Sequence, residues 1–186
     1  MSMRIVAISG SLRAQSSNAA ILRAARRAPV AGLEWTLYEA VGRLPHFNPD
    51  LDVEGATPPR EVAELRAQLA AADAVLLCSP EYAHGVPGSL KNALDWLVSV
   101  GELVGKPIAV ITASPTGGEH AQMQLVHTLQ TMSWRVVDEA CLQLSLGRAQ
   151  LDARGEVADA AVIRSLHDAV AALATRAARD ATPRNR

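Results

Sequence analysis

Five polar side chains near the N-terminus, all within eight positions, have the chemistry needed to bind a phosphate group. They are Ser11, Arg13, Ser16, Ser17 and Asn18. Their hydroxyl, amide and guanidinium groups can all donate hydrogen bonds to an anion. The segment leads into a helix-like sequence, and the free N–H groups and dipole of a helix start favour an anion there. A helix cap would need only one such side chain, so five favour phosphate binding.

The same segment, loop A (residues 10–18), lacks two common phosphate-binding patterns. A dinucleotide fingerprint needs glycines in the spacing G-x-G-x-x-G, whereas loop A contains only Gly10. A triphosphate loop needs a lysine after its second glycine, and loop A contains no lysine. Hydroxyl groups in place of glycines favour a terminal monophosphate that is held by many hydrogen bonds.

A second segment, loop B (residues 79–88), contains two prolines and two glycines that constrain its backbone. Such a backbone can present N–H and C=O groups to the edge of a flat heterocycle. Tyr82 could lie beside that ring or only pack within the loop. We expect Glu81 to face solvent rather than act as a general base. His84 has no identified partner for acid–base chemistry.

A third segment, loop C (residues 114–120), contains the consecutive glycines Gly117 and Gly118. Glycines let the backbone come close to a ligand. Their N–H groups could donate to a ring oxygen that gains negative charge on reduction. An ordinary strand-to-helix turn would also contain such residues, but it would not explain why this turn accompanies the other two loops.

The segments that must position these loops alternate between strand and helix patterns. Apolar runs predict strands at residues 4–9, 73–79 and 107–113, and a period-two alternation predicts a strand at 33–38. A further strand is predicted within 135–146. Apolar spacing predicts helices at 18–27, 59–71, 87–98, 121–132 and around 163–173. The alternation predicts a doubly wound parallel sheet in one domain over residues 1–180, followed by a frayed tail at 181–186. Ligands on such sheets bind beyond the carboxyl ends of the strands, where all three loops fall.

The composition argues against several other classes of protein. The chain has 186 residues, 49% of them hydrophobic, and a net charge of −1. This charge disfavours a nucleic-acid partner. No apolar run is long enough to span a membrane, and the first apolar run is too short for a signal peptide. Cys78 and Cys141 form no metal or disulfide pattern, so we expect inert thiols, no metal site and a cytoplasmic protein.

Two motifs resemble those of the NAD(P)H-dependent FMN reductases, a flavodoxin-like group that includes quinone, azo-dye and chromate reductases. The first motif is Gly10-Ser11-Leu12-Arg13-x-x-Ser16-x-Asn18. The second joins Pro80-Glu81-Tyr82 to Val86-Pro87-Gly88-Ser89-Leu90-Lys91-Asn92-Ala93-Leu94-Asp95-Trp96. The resemblance covers most of the chain. It implies an α/β, flavodoxin-like three-layer sandwich with a five-stranded parallel sheet of order 2-1-3-4-5, usually in a homodimer or homotetramer.

The resemblance also implies a role for each matching position. The FMN phosphate would bind to Ser11, Arg13, Ser16, Ser17 and Asn18. The isoalloxazine ring would lie along Pro80, Glu81, Tyr82 and Ala83, largely through their backbone. The ring site would be completed by Ser114, Thr116, Gly117 and Gly118. Many relatives carry asparagine at the position of Ala83 and a Pro-Gly-Gly type sequence in loop C, so individual ring contacts differ here.

The implied activity is that of an oxidoreductase that passes electrons from NAD(P)H through FMN to a small-molecule acceptor. The acceptors implied are quinones, flavins, azo or nitro compounds and oxidised metal species. The flavin supplies the chemistry, so we expect no catalytic side chain. One alternative is a flavodoxin-like electron carrier, although such carriers usually sandwich the ring between aromatics on an acidic surface. Another is a flavin-free phosphoryl or nucleotide enzyme, which would need a phosphate lysine and carboxylates for Mg²⁺.

Overall fold

The computed structural model describes residues 2–146 and 151–181, which form a parallel sheet with helices on both faces. The strands are β1 (Met3–Ser9), β2 (Leu33–Tyr38), β3 (Ala74–Ser79), β4 (Pro107–Ser114), β5 (Arg135–Val136) and β6 (Leu142–Ser145). The helices are α1 (Ser17–Ala25), α2 (Arg60–Ala71), α3 (Gly88–Asp95), α4 (Glu119–Thr131) and α5 (Ala160–Ala181). Each predicted strand and helix is therefore present.

The strand order is β2-β1-β3-β4-β5, which confirms the predicted flavodoxin-like sheet. The fifth strand differs from the prediction because it is divided into two short segments. β5 pairs with the start of β4 through Pro107 and Arg135, and β6 pairs with its end through Ile111 and Leu142. A short 3₁₀ turn at Asp138–Ala140 separates the two segments and interrupts their pairing with β4.

Two apolar layers hold the helices against the sheet. β3 and β4 are buried along their whole length, as expected of strands covered on both faces. Alternate strand residues point to opposite faces. On one face, residues such as Ile5 and Leu76 pack with α1 and α5. On the other face, residues such as Val6 and Leu77 pack with α2, α3 and α4. The result is the predicted three-layer sandwich.

The helix ends differ from the predictions in two places. α3 ends at Asp95, before the predicted end at residue 98, and Trp96 closes it as a fully buried residue. α5 continues to Ala181, and the rest of the expected frayed tail, residues 182–186, lies outside the described residues. Within residues 2–146 and 151–181, no helix combines the length and the apolar character needed to cross a membrane.

Candidate functional site

Loops A, B and C meet at the carboxyl ends of β1, β3 and β4, around a cleft of about 200 Å³. Nine of the predicted site residues line this cleft: Ser11, Arg13, Ser16, Ser17, Asn18, Pro80, Glu81, Tyr82 and Ser114. Four others belong to the same loops but are not among the lining residues: Ala83, Thr116, Gly117 and Gly118. Lining residues that the sequence did not indicate are Gln15, Ala113, Pro115, Leu146 and Leu151.

Loop A is organised around the first turn of α1. Ser16 is the N-cap residue, and its side-chain oxygen accepts a hydrogen bond from the Asn18 N–H at 3.2 Å. Ser16 and Asn18 are buried, whereas Arg13 is exposed. The Ser9 hydroxyl accepts from the Ser11 N–H and donates to the Ser11 carbonyl, which fixes the start of the loop. One residue therefore caps the helix, and the remaining polar groups surround the same helix start.

Asn18 is oriented by a contact that the sequence did not indicate. Its Oδ1 accepts a hydrogen bond from the Cys78 Sγ at 3.1 Å, and both side chains are buried. Burial raises the pKa of the Cys78 thiol, so the S–H donor persists at neutral pH. Because the oxygen of Asn18 is used in this way, its Nδ2 group remains to donate towards an anion in the cleft.

Loop B contains a tight turn with an unusual backbone. The N–H and C=O groups of Tyr82 and Gly85 pair reciprocally, at 3.0 and 2.9 Å. The two residues between them, Ala83 and His84, have positive φ angles of 50° and 57°. Turns of this kind usually contain asparagine or glycine, because other residues are strained in the left-handed region. The turn holds Tyr82 at the cleft with its side chain exposed.

The prediction that Glu81 faces solvent is wrong. Its side chain is only 8% exposed, and its Oε2 accepts a hydrogen bond from the Ala121 N–H at 2.8 Å. Ala121 lies in the first turn of α4, where free N–H groups and the helix dipole favour a carboxylate. Glu81 therefore caps a helix that begins almost forty positions later in the chain.

A second side chain of α4 clamps the turn of loop B. The Nε2 of Gln124 donates to the His84 carbonyl at 3.2 Å, and its Oε1 accepts from the Val86 N–H at 3.4 Å. Glu81 and Gln124 thus join loop B to α4 at two points. No local pattern in the sequence indicates either contact, because the partners are about forty residues apart.

Loop C is a compact turn that requires its glycines. The Gly117 N–H donates to the Ser114 carbonyl at 3.1 Å, and the Thr112 hydroxyl donates to the Gly117 carbonyl at 3.1 Å. Gly118 has a φ of 79°, and a Cβ atom there would lie 3.0 Å from the Thr112 Cβ. The Gly117 N–H is therefore already paired within the loop, contrary to the expectation that it donates to a ring oxygen.

The groups around the cleft fit a flavin mononucleotide. Loop A contributes hydroxyl, amide and guanidinium donors and no carboxylate, which suits a phosphate. Loops B and C contribute Pro80, Tyr82 and Pro115, whose flat or apolar surfaces suit an aromatic ring. The carboxylate of Glu81 is held by α4. The donors of loop A thus match the phosphate end of FMN, and the flat or apolar surfaces of loops B and C match its ring end.

Known proteins resemble this chain over most of its length. A family model described as NADPH-dependent FMN reductase matches residues 3–148. An NAD(P)H-dependent FMN reductase of Pseudomonas aeruginosa is 34% identical over 161 residues, which cover 84% of this chain and 85% of that protein. A quinone reductase of Escherichia coli is 31% identical over 162 residues, which cover 84% of this chain and 86% of that protein.

A solved structure agrees with these sequence matches. The flavoenzyme NAD(P)H:(acceptor) oxidoreductase FerB from Paracoccus denitrificans has a TM-score of 0.82 at 29% identity, covering 95% of this chain and 98% of FerB. The matches confirm the expectation of an enzyme with FMN and NAD(P)H as cofactors, rather than an electron carrier. The chain belongs to the family of NADPH-dependent FMN reductases.

Proposed function

We propose that this enzyme reduces quinones with electrons from NAD(P)H, and that its FMN occupies the cleft between loops A, B and C. One observation supports this most strongly: a phosphate-type donor set and two constrained loops converge on a single cleft. The name of the Escherichia coli relative, quinone reductase, supports the choice of acceptor. Flavins, azo or nitro compounds and oxidised metal species are further acceptors within the same proposal.

Loop A would hold the phosphate end. The residues proposed to bind it are Ser11, Arg13, Ser16, Ser17 and Asn18. Arg13 supplies the positive charge, and a charge-assisted hydrogen bond is roughly twice as strong as a neutral one. Ser16 and Asn18 are fixed by the cap and by Cys78, so their donors need little reordering on binding.

Loops B and C would hold the ring end. The residues proposed to line it are Pro80, Glu81, Tyr82, Ala83, Ser114, Thr116, Gly117 and Gly118. FMN supplies two-electron redox chemistry when it is bound, and the residues of the cleft orient it. Tyr82 is 57% exposed at the cleft. We place the nicotinamide and the acceptor on this open side, where each can enter in turn.

The proposal extends to assembly and location. Several large apolar side chains are exposed, as expected if this single-domain chain forms a homodimer or homotetramer: Leu12, Leu51, Val53, Val98, Val104 and Met123. Cys78 and Cys141 are free thiols, which suits the reducing cytoplasm. Sedimentation of the flavin-loaded protein would give the subunit number, and a monomer would remove this part of the proposal.

Steady-state turnover tests the activity. The flavin-saturated protein is mixed with NADH or NADPH and with benzoquinone or ferricyanide, and oxidation of the nicotinamide is followed by absorbance. We expect turnover with both acceptors that depends on added FMN, with flavin-free protein as the control. Absence of FMN-dependent turnover with every pair would contradict the proposed function.

A further inference from the structure

His84 occupies an unusual position at the tip of loop B. It is a non-glycine residue with a φ of 57°, directly after Ala83 with a φ of 50°. Backbone strain of this kind is unfavourable and clusters at functional sites. Gln124 holds this conformation by donating to the His84 carbonyl. The strained turn therefore exposes the His84 side chain two positions after Tyr82, which lines the cleft, although His84 itself is not among the lining residues.

One ring nitrogen of His84 faces the carboxylate of Glu81. Its Nδ1 lies 3.7 Å from the Oε1 of Glu81, close enough for an ion pair when the imidazole is protonated. The other carboxylate oxygen of Glu81 is fixed by the Ala121 N–H. This arrangement leaves Nε2 as the atom of His84 that can meet a substrate. The side chain is 77% exposed, so it is accessible both to an acceptor and to water.

A second imidazole supports the first. The rings of His84 and His120 meet edge to face, with centroids 4.4 Å apart and an interplanar angle of 84°. His120 lies at the start of α4, beside the acidic Glu119. Titratable groups from two elements thus meet His84: Glu81 from its own loop and His120 from α4. The contact with His120 restricts the orientation of the His84 ring.

We propose that His84 is the proton donor to quinone acceptors, with Glu81 and Gln124 as its positioning residues. This inference rests on the proposed function. The overall reaction is quinone + NAD(P)H + H⁺ → hydroquinone + NAD(P)⁺. The nicotinamide supplies two electrons and one hydrogen, and the second hydrogen comes from the imidazolium as the N–H bond at Nε2 breaks and a quinone oxygen gains it. Water then returns a proton to Nε2.

A comparison of benzoquinone with ferricyanide as acceptors separates the proton transfer from the electron transfer. Ferricyanide takes electrons without protons, whereas benzoquinone needs a proton in addition. The variant His84→Gln is reduced with NADH, and its reoxidation by each acceptor is followed by stopped-flow absorbance. General acids contribute about 10²–10⁴-fold, and water can substitute in part at this exposed position. We therefore expect the ratio of quinone to ferricyanide rates to fall about tenfold.

Two further variants complete the experiment. The matched control is His127→Gln, an exposed histidine on α4, and it should keep the wild-type ratio. The ratio should also depend less on pH in His84→Gln than in the wild type, because the variant lacks the imidazole. An unchanged ratio in His84→Gln would overturn the proposal, as would a fall that appears only in Tyr82→Phe. Absence of ferricyanide reduction by the wild type would instead contradict the proposed function.

A spectroscopic measurement tests the same geometry without turnover. Long-range ¹H–¹⁵N spectra of the FMN-loaded protein report which imidazole nitrogen carries a proton. We expect Nδ1 of His84 to be protonated even in its neutral form, because it faces Glu81, and we expect this preference to weaken in Glu81→Gln. A neutral His84 protonated only at Nε2 in both proteins would contradict the assigned roles.

Discussion

Loop A and loops B and C all follow parallel strands and precede helices, but they are built in different ways. Loop A depends on the types of its own side chains, and its main hydrogen bonds join neighbours such as Ser16 and Asn18. Loops B and C depend on backbone conformations with positive φ at Ala83, Gly117 and Gly118. Contacts from α4, through Gln124 and the Ala121 N–H, hold loop B in place.

The two ends of one ligand can therefore be recognised by different means. A phosphate is bound by hydrogen-bond donors that many side chains can provide, so loop A needs no unusual backbone conformation to bind one. A flat ring needs a surface of defined shape, so loops B and C must keep their conformation. Substitutions in loop A should therefore affect affinity, whereas substitutions in loops B and C should affect stability first.

The largest effect is expected from Gly118→Ala. The new Cβ would lie 3.0 Å from the Thr112 Cβ, at a φ of 79°. Steric overlap and the positive φ each cost about 1–3 kcal/mol, so the free energy of unfolding should fall by about 3 kcal/mol in total. The control is Gly155→Ala, which has a φ of 74° but open space around its Cβ, and should lose about 1 kcal/mol. Equal losses in urea unfolding would show that the packing against Thr112 is unimportant.

The next effect is expected from Arg13→Ala. Loss of a charge-assisted hydrogen bond costs about 1.5–3 kcal/mol, so the dissociation constant for FMN should rise about ten- to hundredfold. Riboflavin lacks the phosphate, so its affinity should not change. Arg164→Ala, on the exposed side of α5, is the matched control. Equal weakening of FMN and riboflavin in a fluorescence titration would show that Arg13 contacts the ring end instead.

A smaller effect is expected from Cys78→Ala. Without the thiol donor, the amide of Asn18 loses its fixed orientation, and FMN affinity should fall by about 1 kcal/mol, or roughly fivefold. Cys78→Ser retains a donor and should bind FMN more tightly than Cys78→Ala in the same titration. If the two variants bind FMN equally, the orientation of Asn18 does not depend on this contact.

The same variant has a predicted pH dependence. Burial raises the pKa of Cys78 in the folded protein, whereas the unfolded thiol ionises near its ordinary value of about 8.5. Its contribution to stability is therefore complete below that pH and declines as the pH rises above it. Urea unfolding between pH 8 and 10 should show a steeper loss for the wild type than for Cys78→Ala. Parallel slopes would contradict the assigned burial.

The smallest effect is expected from Ala83→Asn, and it is favourable. Asparagine tolerates the left-handed region better than alanine, so the free energy of unfolding should rise by about 0.5 kcal/mol. Ser133→Gly relieves a φ of 60° after α4, outside loops A, B and C, and should stabilise similarly without changing FMN affinity. A loss of stability in Ala83→Asn, measured by thermal unfolding, would show that the turn is not strained.

The sequence predicted the parts of the fold that local patterns control. The period-two pattern at 33–38 falls on β2, at the edge of the sheet, and the continuous apolar run at 107–113 falls on β4, which is buried along its whole length. The division of the fifth strand was not predictable, since the 3₁₀ turn at Asp138–Ala140 follows no glycine or proline signal. Local sequence patterns therefore predict whole strands and helices well, but they predict a break within a strand poorly.

The site shows the same limit. The donors of loop A lie together in the sequence, so their chemistry could be identified directly. The roles of Glu81, Gln124 and Cys78 depend on partners about forty to sixty residues away. The assignment of His84 as a residue without a partner failed for this reason, because Glu81 and His120 come beside it only in the folded chain.

The position of FMN can be determined in a crystal structure of the FMN-loaded protein. We expect the phosphate at the start of α1, within hydrogen-bond distance of loop A side chains, and the ring against loops B and C. A phosphate bound elsewhere, with the ring beside Ser16 and Asn18, would contradict this expectation.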